Sequence, residues 1–219
     1  GDVGYFTSLV LNSKDLPYIS YYDKTNEQIK YAFYKIPGGW YNFPLAKVGL
    51  DGDSKDLNDA YSSISLSNDK PRIAFYAYDN NTTSGDLKIA VANSKIPVTG
   101  DWTISAIDTG GDVDKVNVVD MGKYVSMAIE EGTDKRHVCY YDATNGDLRY
   151  AAWNETDDWL DPVTLDSGGD VGLYCSIALD GAGRPAISYY DAFLGNLKFI
   201  ASYTDLLDMN EVYLPMIIQ

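Results

Sequence analysis

One pattern recurs four times along the 219 residues, and it decides most of what the chain can become. A first segment reads YFTSLVL (5 to 11), AYSSISL (60 to 66), KYVSMAI (123 to 129) and LYCSIAL (173 to 179), with serine always fourth: Ser8, Ser63, Ser126 and Ser176. A second follows as PYISYYD (17 to 23), PRIAFYA (71 to 77), RHVCYYD (136 to 142) and PAISYYD (185 to 191), and a third as QIKYAF, DLKIAV, DLRYAA and NLKFIA. Trp40, Trp102 and Trp159 open a fourth segment in the first three copies. Self-similarity at this period is the mark of a repeat architecture in which no unit buries its apolar face alone.

Every segment is short, rich in Tyr, Ile, Val and Ser, and bounded by Gly, Asn, Asp or Pro, which is how strands read. The first unit predicts strands near 5–11, 17–23, 28–34 and 40–48, with the first strand innermost. Asn145-Gly146, Ser84-Gly85 and Leu194-Gly195 mark hairpin turns in which glycine supplies a positive φ. Four meanders, apolar on both faces of their middle strands, need a sheet on each side, and radial repetition provides it. The expected fold is therefore all-β: one β-propeller domain over 1–219, with four four-stranded antiparallel blades near 1–51, 52–110, 111–168 and 169–219. A β-sandwich, the main competitor, would not require four homologous meanders. VYLPMII at the end can supply the last blade's fourth strand. The expectation is a closed four-bladed ring in one chain, with a larger ring or an assembly as the alternatives.

The units, clearest in GDVGLYCSIALDGAGRPAISYYDAFLGNLKFIA (169 to 201), resemble the tandem S-I-A-L-D, P-x-I-S-Y-Y-D, G-D-L-K-Y-A repeats of exported bacterial and archaeal proteins of propeller type. That resemblance implies the fold and a secreted or cell-surface location, and it names no activity. Copy 2 departs from it, with Ala77 at the aspartate place.

Charge narrows the partners. The chain has 17 Lys and Arg against 32 Asp and Glu, a formal net charge of −15, and only five of the acids are Glu. Aspartate favours turns and caps, so the charge is expected on loops, where it repels nucleic acid. No apolar run approaches the length that crosses a bilayer. Cys139 and Cys175 cannot form a four-thiolate zinc site, and a lone His137 excludes any centre needing two imidazoles. The cysteines read as two small buried residues, with pairing across neighbouring units as the alternative in an oxidising compartment.

Asp23, Asp142 and Asp191 end the second strand seven residues before Lys30, Arg149 and Lys198, which predicts a charge pair across each hairpin. Such recurring positions, with Trp40, Trp102 and Trp159, read as scaffold. Function is sought where the copies differ. The loop from Asp79 to Asp86 is two residues longer than its equivalents and resembles an oxygen-rich calcium loop, with Asp79, Asn81, Thr83 and Asp86 as candidate ligands, although no bidentate Glu follows. Tyr78, Asp79 and Asn81 are the expected ligand-binding residues, since a ring can stack on a sugar while carboxylates take its hydroxyls. Asn80, Asn81 and Asn154 each begin an N-x-Ser/Thr sequon.

No G-x-S-x-G motif occurs, and His137 reads as part of an exposed loop, so a Ser/His/Asp triad is not expected. The reading is a non-catalytic extracellular binding or assembly module: an adhesin, a lectin-like module or a subunit of a complex, with protein subunits or glycans as partners and no cofactor other than calcium. The alternative is a propeller glycoside hydrolase or lyase using axial carboxylates.

Overall fold

The computed structural model describes residues 1–48, 60–79, 84–110, 119–156, 158–201 and 216–218. They form four antiparallel sheets, and no helix occurs among them. The first sheet runs β1 (Val3–Leu11), β2 (Pro17–Asp23), β3 (Gln28–Lys35) and β4 (Gly39–Lys47), in chain order. The second runs β5 (Ser62–Ser67), β6 (Lys70–Asp79), β7 (Ser84–Ala92) and β8 (Trp102–Asp108). The third holds β9 (Met121–Ile129), β10 (Arg136–Asp142) and β11 (Asp147–Asn154), followed by β12 (Asp158–Trp159) and β13 (Val163–Asp166), which both pair with β11. The fourth is β14 (Val171–Leu179), β15 (Pro185–Asp191), β16 (Asn196–Ala201) and β17 (Met216–Ile218). The chain divides into two compact units, Gly1–Lys123 and Tyr124–Gln219, the boundary falling inside β9. Among the described residues no helix is long and apolar enough to cross a membrane.

Proline placement explains the irregular fourth strands. Pro44 has no N–H for the ladder and sits where the pairing of β4 with β3 slips register. Pro162 falls between β12 and β13 and splits that strand in two.

In the first unit a core forms from Tyr22, Ile29, Tyr31, Phe33, Ile73 and Phe75, and in the second from Leu148, Tyr150, Val171, Ile187, Tyr189 and Ile200. The repeated serines clip one sheet to the next: Ser8 Oγ accepts the Ile64 N–H at 3.1 Å, and Ser126 Oγ accepts the Ile177 N–H at 3.2 Å. Glycines let the sheets approach, since a β-carbon on Gly172 would lie 2.7 Å from Cα of Leu148. The sequence reading of Gly85 as a turn residue with positive φ is corrected. Gly85 lies within β7 opposite Tyr78, and an added β-carbon there would collide with Tyr76 and Asp120.

Two further expectations are corrected here. Cys139 of β10 and Cys175 of β14 form a disulfide, with Cα atoms 6.3 Å apart, because the repeat stacks the third and fourth sheets and brings the two thiols face to face. His137 is not in an exposed loop: it is buried in β10, with Nδ1 2.6 Å from the Tyr150 hydroxyl. Residues 134 to 136 look solvated, yet the Arg136 guanidinium lies 3.7 Å from the Trp153 ring centroid and pairs with Asp134, so the strand starts earlier than its charges suggest.

The disulfide closes a loop of 36 positions. Loop entropy at that length gives about 4 kcal/mol, and measured values cluster at about 2–4. The double variant C139A/C175A is therefore expected to lose about 2–4 kcal/mol of unfolding free energy. Denaturant titration checks this, and an unchanged midpoint would remove the bond from the stability account.

Candidate active site

The structure brings together a set of residues that the loop-centred reading did not select. Three of the four sheets are entered by an aspartate two residues before a glycine: Asp2-Val3-Gly4, Asp120-Met121-Gly122 and Asp170-Val171-Gly172. The glycines have φ of 99°, 103° and 103°. Two residues on, an aromatic side chain also has positive φ: Phe6 at 51°, Tyr124 at 55° and Tyr174 at 54°. A bulky residue in that region costs about 1–3 kcal/mol and persists only where its surroundings enforce it. Here the ladder slips register at this place in β1 and β14, and the rings turn toward each other. Phe6 packs on Tyr61 at 4.6 Å between centroids in the first unit, and Tyr124 on Tyr174 at 4.4 Å in the second.

Each aspartate meets a different partner. In the first unit Asp120 accepts from the Tyr76 hydroxyl at 2.7 Å and pairs with Lys123 at 2.8 Å, so its charge is neutralised. Asp2 accepts from Tyr5 at 3.2 Å and has Lys24 at 3.8 Å. In the second unit Asp170 accepts from the Tyr141 hydroxyl at 2.7 Å, but Leu173 stands where Lys123 follows Asp120. Asp170 has no cation among the described residues. Burial, then the hydrogen bond to Asp170, raise the Tyr141 phenol above its ordinary value, so it stays protonated as a donor.

Asp147 lies close by. The Val171 N–H donates to the Gly146 carbonyl at 2.9 Å, and a β-carbon on Gly146 would lie 3.5 Å from Cα of Asp170. Burial, then the Asp142 carboxylate, lift Asp147 above the ordinary carboxylate value, while Arg149 opposes them. The second unit thus holds an exposed carboxylate, Asp170, and, one residue on from the Gly146 backbone that meets it, a second carboxyl, Asp147, with raised proton affinity, and unlike carboxyls divide acid from base work. Exposed rings border them: Tyr174 is 64% exposed, and Phe193, which a β-carbon on Gly169 would touch at 3.0 Å, is 73% exposed.

The residues singled out from sequence fall elsewhere. Tyr78 is half-buried on β6 opposite Gly85, and Asp79 ends that strand. Asn81 and Thr83 lie outside the described residues, and Asp86 is paired with Lys88 at 3.1 Å. Among the described residues no three Asp, Glu, His or Cys side chains gather as a metal site. Asp23, Asp142 and Asp191 pair with Lys30, Arg149 and Lys198 at 3.6, 3.9 and 2.9 Å. Each also accepts turn N–H groups, from Asn26, from Thr144 and Asn145, and from Leu194. Trp102 packs edge-on to Tyr31 at 5.2 Å, Trp40 edge-on to Tyr34 at 5.5 Å, and Trp159 pairs with Trp153 across β12 and β11. The signal that would have found the site is the D-x-G triplet at the start of three of the four first strands, read together with the Lys123-to-Leu173 difference between copies.

No protein-family model matches the chain. No curated protein matches it either. Among solved structures, the chain is similar to Penicillium chrysogenum alpha-L-arabinanase complexed with arabinobiose, with a TM-score of 0.64, 12% identity, and coverage of 99% of this chain and 66% of that one. It is similar to the alpha-L-arabinofuranosidase from Lactobacillus brevis (0.59, 13%, 98% and 73%) and to the exo-beta-1,3-galactanase from Phanerochaete chrysosporium (0.60, 11%, 98% and 50%). The chain thus spans between half and three quarters of their lengths. The likeness is one of fold, and it makes the chain an all-β propeller of four four-stranded antiparallel blades. It also corrects the expectation of a non-catalytic module and of a chain that is no enzyme, because the neighbours named here over nearly the whole chain are an arabinanase, an arabinofuranosidase and a galactanase.

Proposed function

We propose that the chain is a glycoside hydrolase of neutral arabinose- or galactose-containing polysaccharide, with Asp147 as its acid and Asp170 as its base. The observation that carries this is the second unit's two unlike carboxyls: Asp170, without a cation among the described residues and oriented by Tyr141, and Asp147, with raised proton affinity, following the Gly146 backbone that meets Asp170. Asp147 protonates the departing glycosidic oxygen as that bond breaks, while Asp170, as base, takes a proton from the water whose oxygen bonds to the anomeric carbon. Tyr141, by donating to one oxygen of Asp170, leaves the other to act. Tyr174 and Phe193 offer apolar faces to sugar rings. Fold alone does not name a substrate, so the neighbours' substrates serve as the first to try. A secreted or cell-surface location is supported by the disulfide, which persists in oxidising compartments.

The purified chain is expected to release reducing sugar from α-1,5-arabinan or β-1,3-galactan, with the product's anomeric configuration read by proton NMR. A chain that leaves arabinan, galactan and their aryl glycosides intact across pH 4 to 8 is not the hydrolase described.

A further inference from the structure

The first unit carries a concave feature at the end of its strands away from Asp2. The turn between β1 and β2, the turn between β3 and β4, Asp69 between β5 and β6, and Lys95 and Ile96 after β7 enclose a cleft of about 500 Å³. Ligand sites fall in this range of volume. Its walls are Leu16, Tyr18, Phe33, Tyr34, Ile36 and Ile96, and three lysines, Lys14, Lys35 and Lys95, stand around it. Asp2 precedes β1 and Lys14 follows it, so the cleft lies about 26 Å along a nine-residue strand from that aspartate.

The cleft is held in shape by built contacts. The Tyr18 hydroxyl donates to the Lys95 carbonyl at 2.9 Å, tying the first sheet to the second. Asp69 accepts from the Ser13 N–H at 2.8 Å and the Ser13 hydroxyl at 2.7 Å, and it pairs with Lys95 at 3.0 Å. Those donors, Ser13 first, hold the Asp69 carboxyl down at about 2. Lys95 is thereby neutralised, while Lys14 and Lys35 have no ion partner among the described residues. Asp15, in the same turn as Lys14, does not line the cleft.

In a chain of net charge −15, two uncompensated cations over an aromatic floor form a local reversal of the field. We propose that this cleft binds a carboxylate-bearing sugar segment, a uronate-containing glycan, with Lys14 and Lys35 taking carboxylates and Tyr34 and Ile36 meeting the apolar ring faces. Neutral arabinan would gain nothing from the lysines, so charge sets this ligand apart from the substrate proposed for Asp170. The site stands whether or not the chain is a hydrolase, because it shares no residue with the carboxyl pair.

Binding of tetragalacturonate, measured by isothermal titration calorimetry in 50 mM salt, is the test, with a neutral arabino-oligosaccharide of equal length as the comparison. The chain is expected to bind the uronate and to lose at least tenfold in affinity between 50 and 500 mM salt. The exposed pair K14Q/K35Q is expected to loosen binding at least tenfold, and Tyr34→Ala to weaken it separately. Asp170→Asn is expected to leave it unchanged. Equal affinity for uronate and neutral sugar, or K14Q/K35Q binding as the parent chain does, would overturn the proposal. So would loss of uronate binding in Asp170→Asn alone, which would assign the ligand to the carboxyl site.

Discussion

Asp170→Asn is expected to lower kcat/KM on arabinan or galactan by about 100-fold or more, because a positioned acid or base contributes about 10² to 10⁴. The substitution keeps the shape and the hydrogen bond from Tyr141 at 2.7 Å, so the fold is not at stake. Asp120 is the internal control. It occupies the same place in its own copy and also accepts from a tyrosine, but Lys123 at 2.8 Å neutralises it. Asp120→Asn is expected to change stability and leave most of the activity. Tyr141→Phe tests orientation: a loss in kcat with little change in KM marks a positioning residue. If Asp147 is the proton donor, the high-pH limb of the rate profile lies above the ordinary aspartate value near 4, as its raised proton affinity requires, and Asp147→Asn removes that limb. Full activity in Asp170→Asn with loss in Asp120→Asn would move the chemistry to the first unit.

Strand positions were readable because they rest on local pattern. The expected 17–23 is β2 (Pro17–Asp23), and 40–48 is β4 (Gly39–Lys47) to within one residue at each end. The cross-hairpin pairs were readable for the same reason, since seven residues of one hairpin fix Asp23 opposite the edge of Lys30. What went unread depends on contacts between sheets. Asp170 and Tyr141 are 29 residues apart, and Cys139 and Cys175 are 36 apart. Nothing in either segment alone reports the stacking that joins them. Gly85 looked like a turn glycine because Ser-Gly-Asp is turn chemistry, yet its role is to leave room for Asp120. The long loop after Tyr78 is the most divergent segment, whereas the informative difference between copies is the single replacement of Lys123 by Leu173. His137 was misplaced by its charged neighbours, whose stems and rings pack rather than face water.

Asp191→Ala is expected to be the most destabilising of the hairpin substitutions, at about 3 kcal/mol or more, the range for leaving one member of a buried ion pair alone. Asp191 is 0% exposed and Lys198 9%, against 18% for Lys30 and 19% for Arg149, which can turn to water when their aspartates are removed. Asp166 still reaches Lys198 at 3.1 Å, which keeps the loss toward the lower end of that range. Asp191→Asn retains an acceptor for the Leu194 N–H and should lose less. The same residue sets the direction of the pH dependence. Burial opposes its ionisation, but the Leu194 N–H and Lys198 outweigh that and hold its carboxyl below the ordinary value. A carboxyl depressed on folding contributes stability that is fully present above its unfolded value near 4 and is lost as pH falls through the lower folded value. Asp166, with the Gly168 N–H, Tyr189 and Lys198 around it, acts in the same sense. Lys198, raised by both carboxylates, contributes stability that is lost only as pH rises through its folded value, above the ordinary 10.5. Urea titrations of parent and Asp191→Asn should therefore differ by a constant amount from pH 5 to 8 and converge below pH 4. A difference that persists undiminished at pH 2 would show that the carboxylate's charge is not what holds the fourth blade's hairpin.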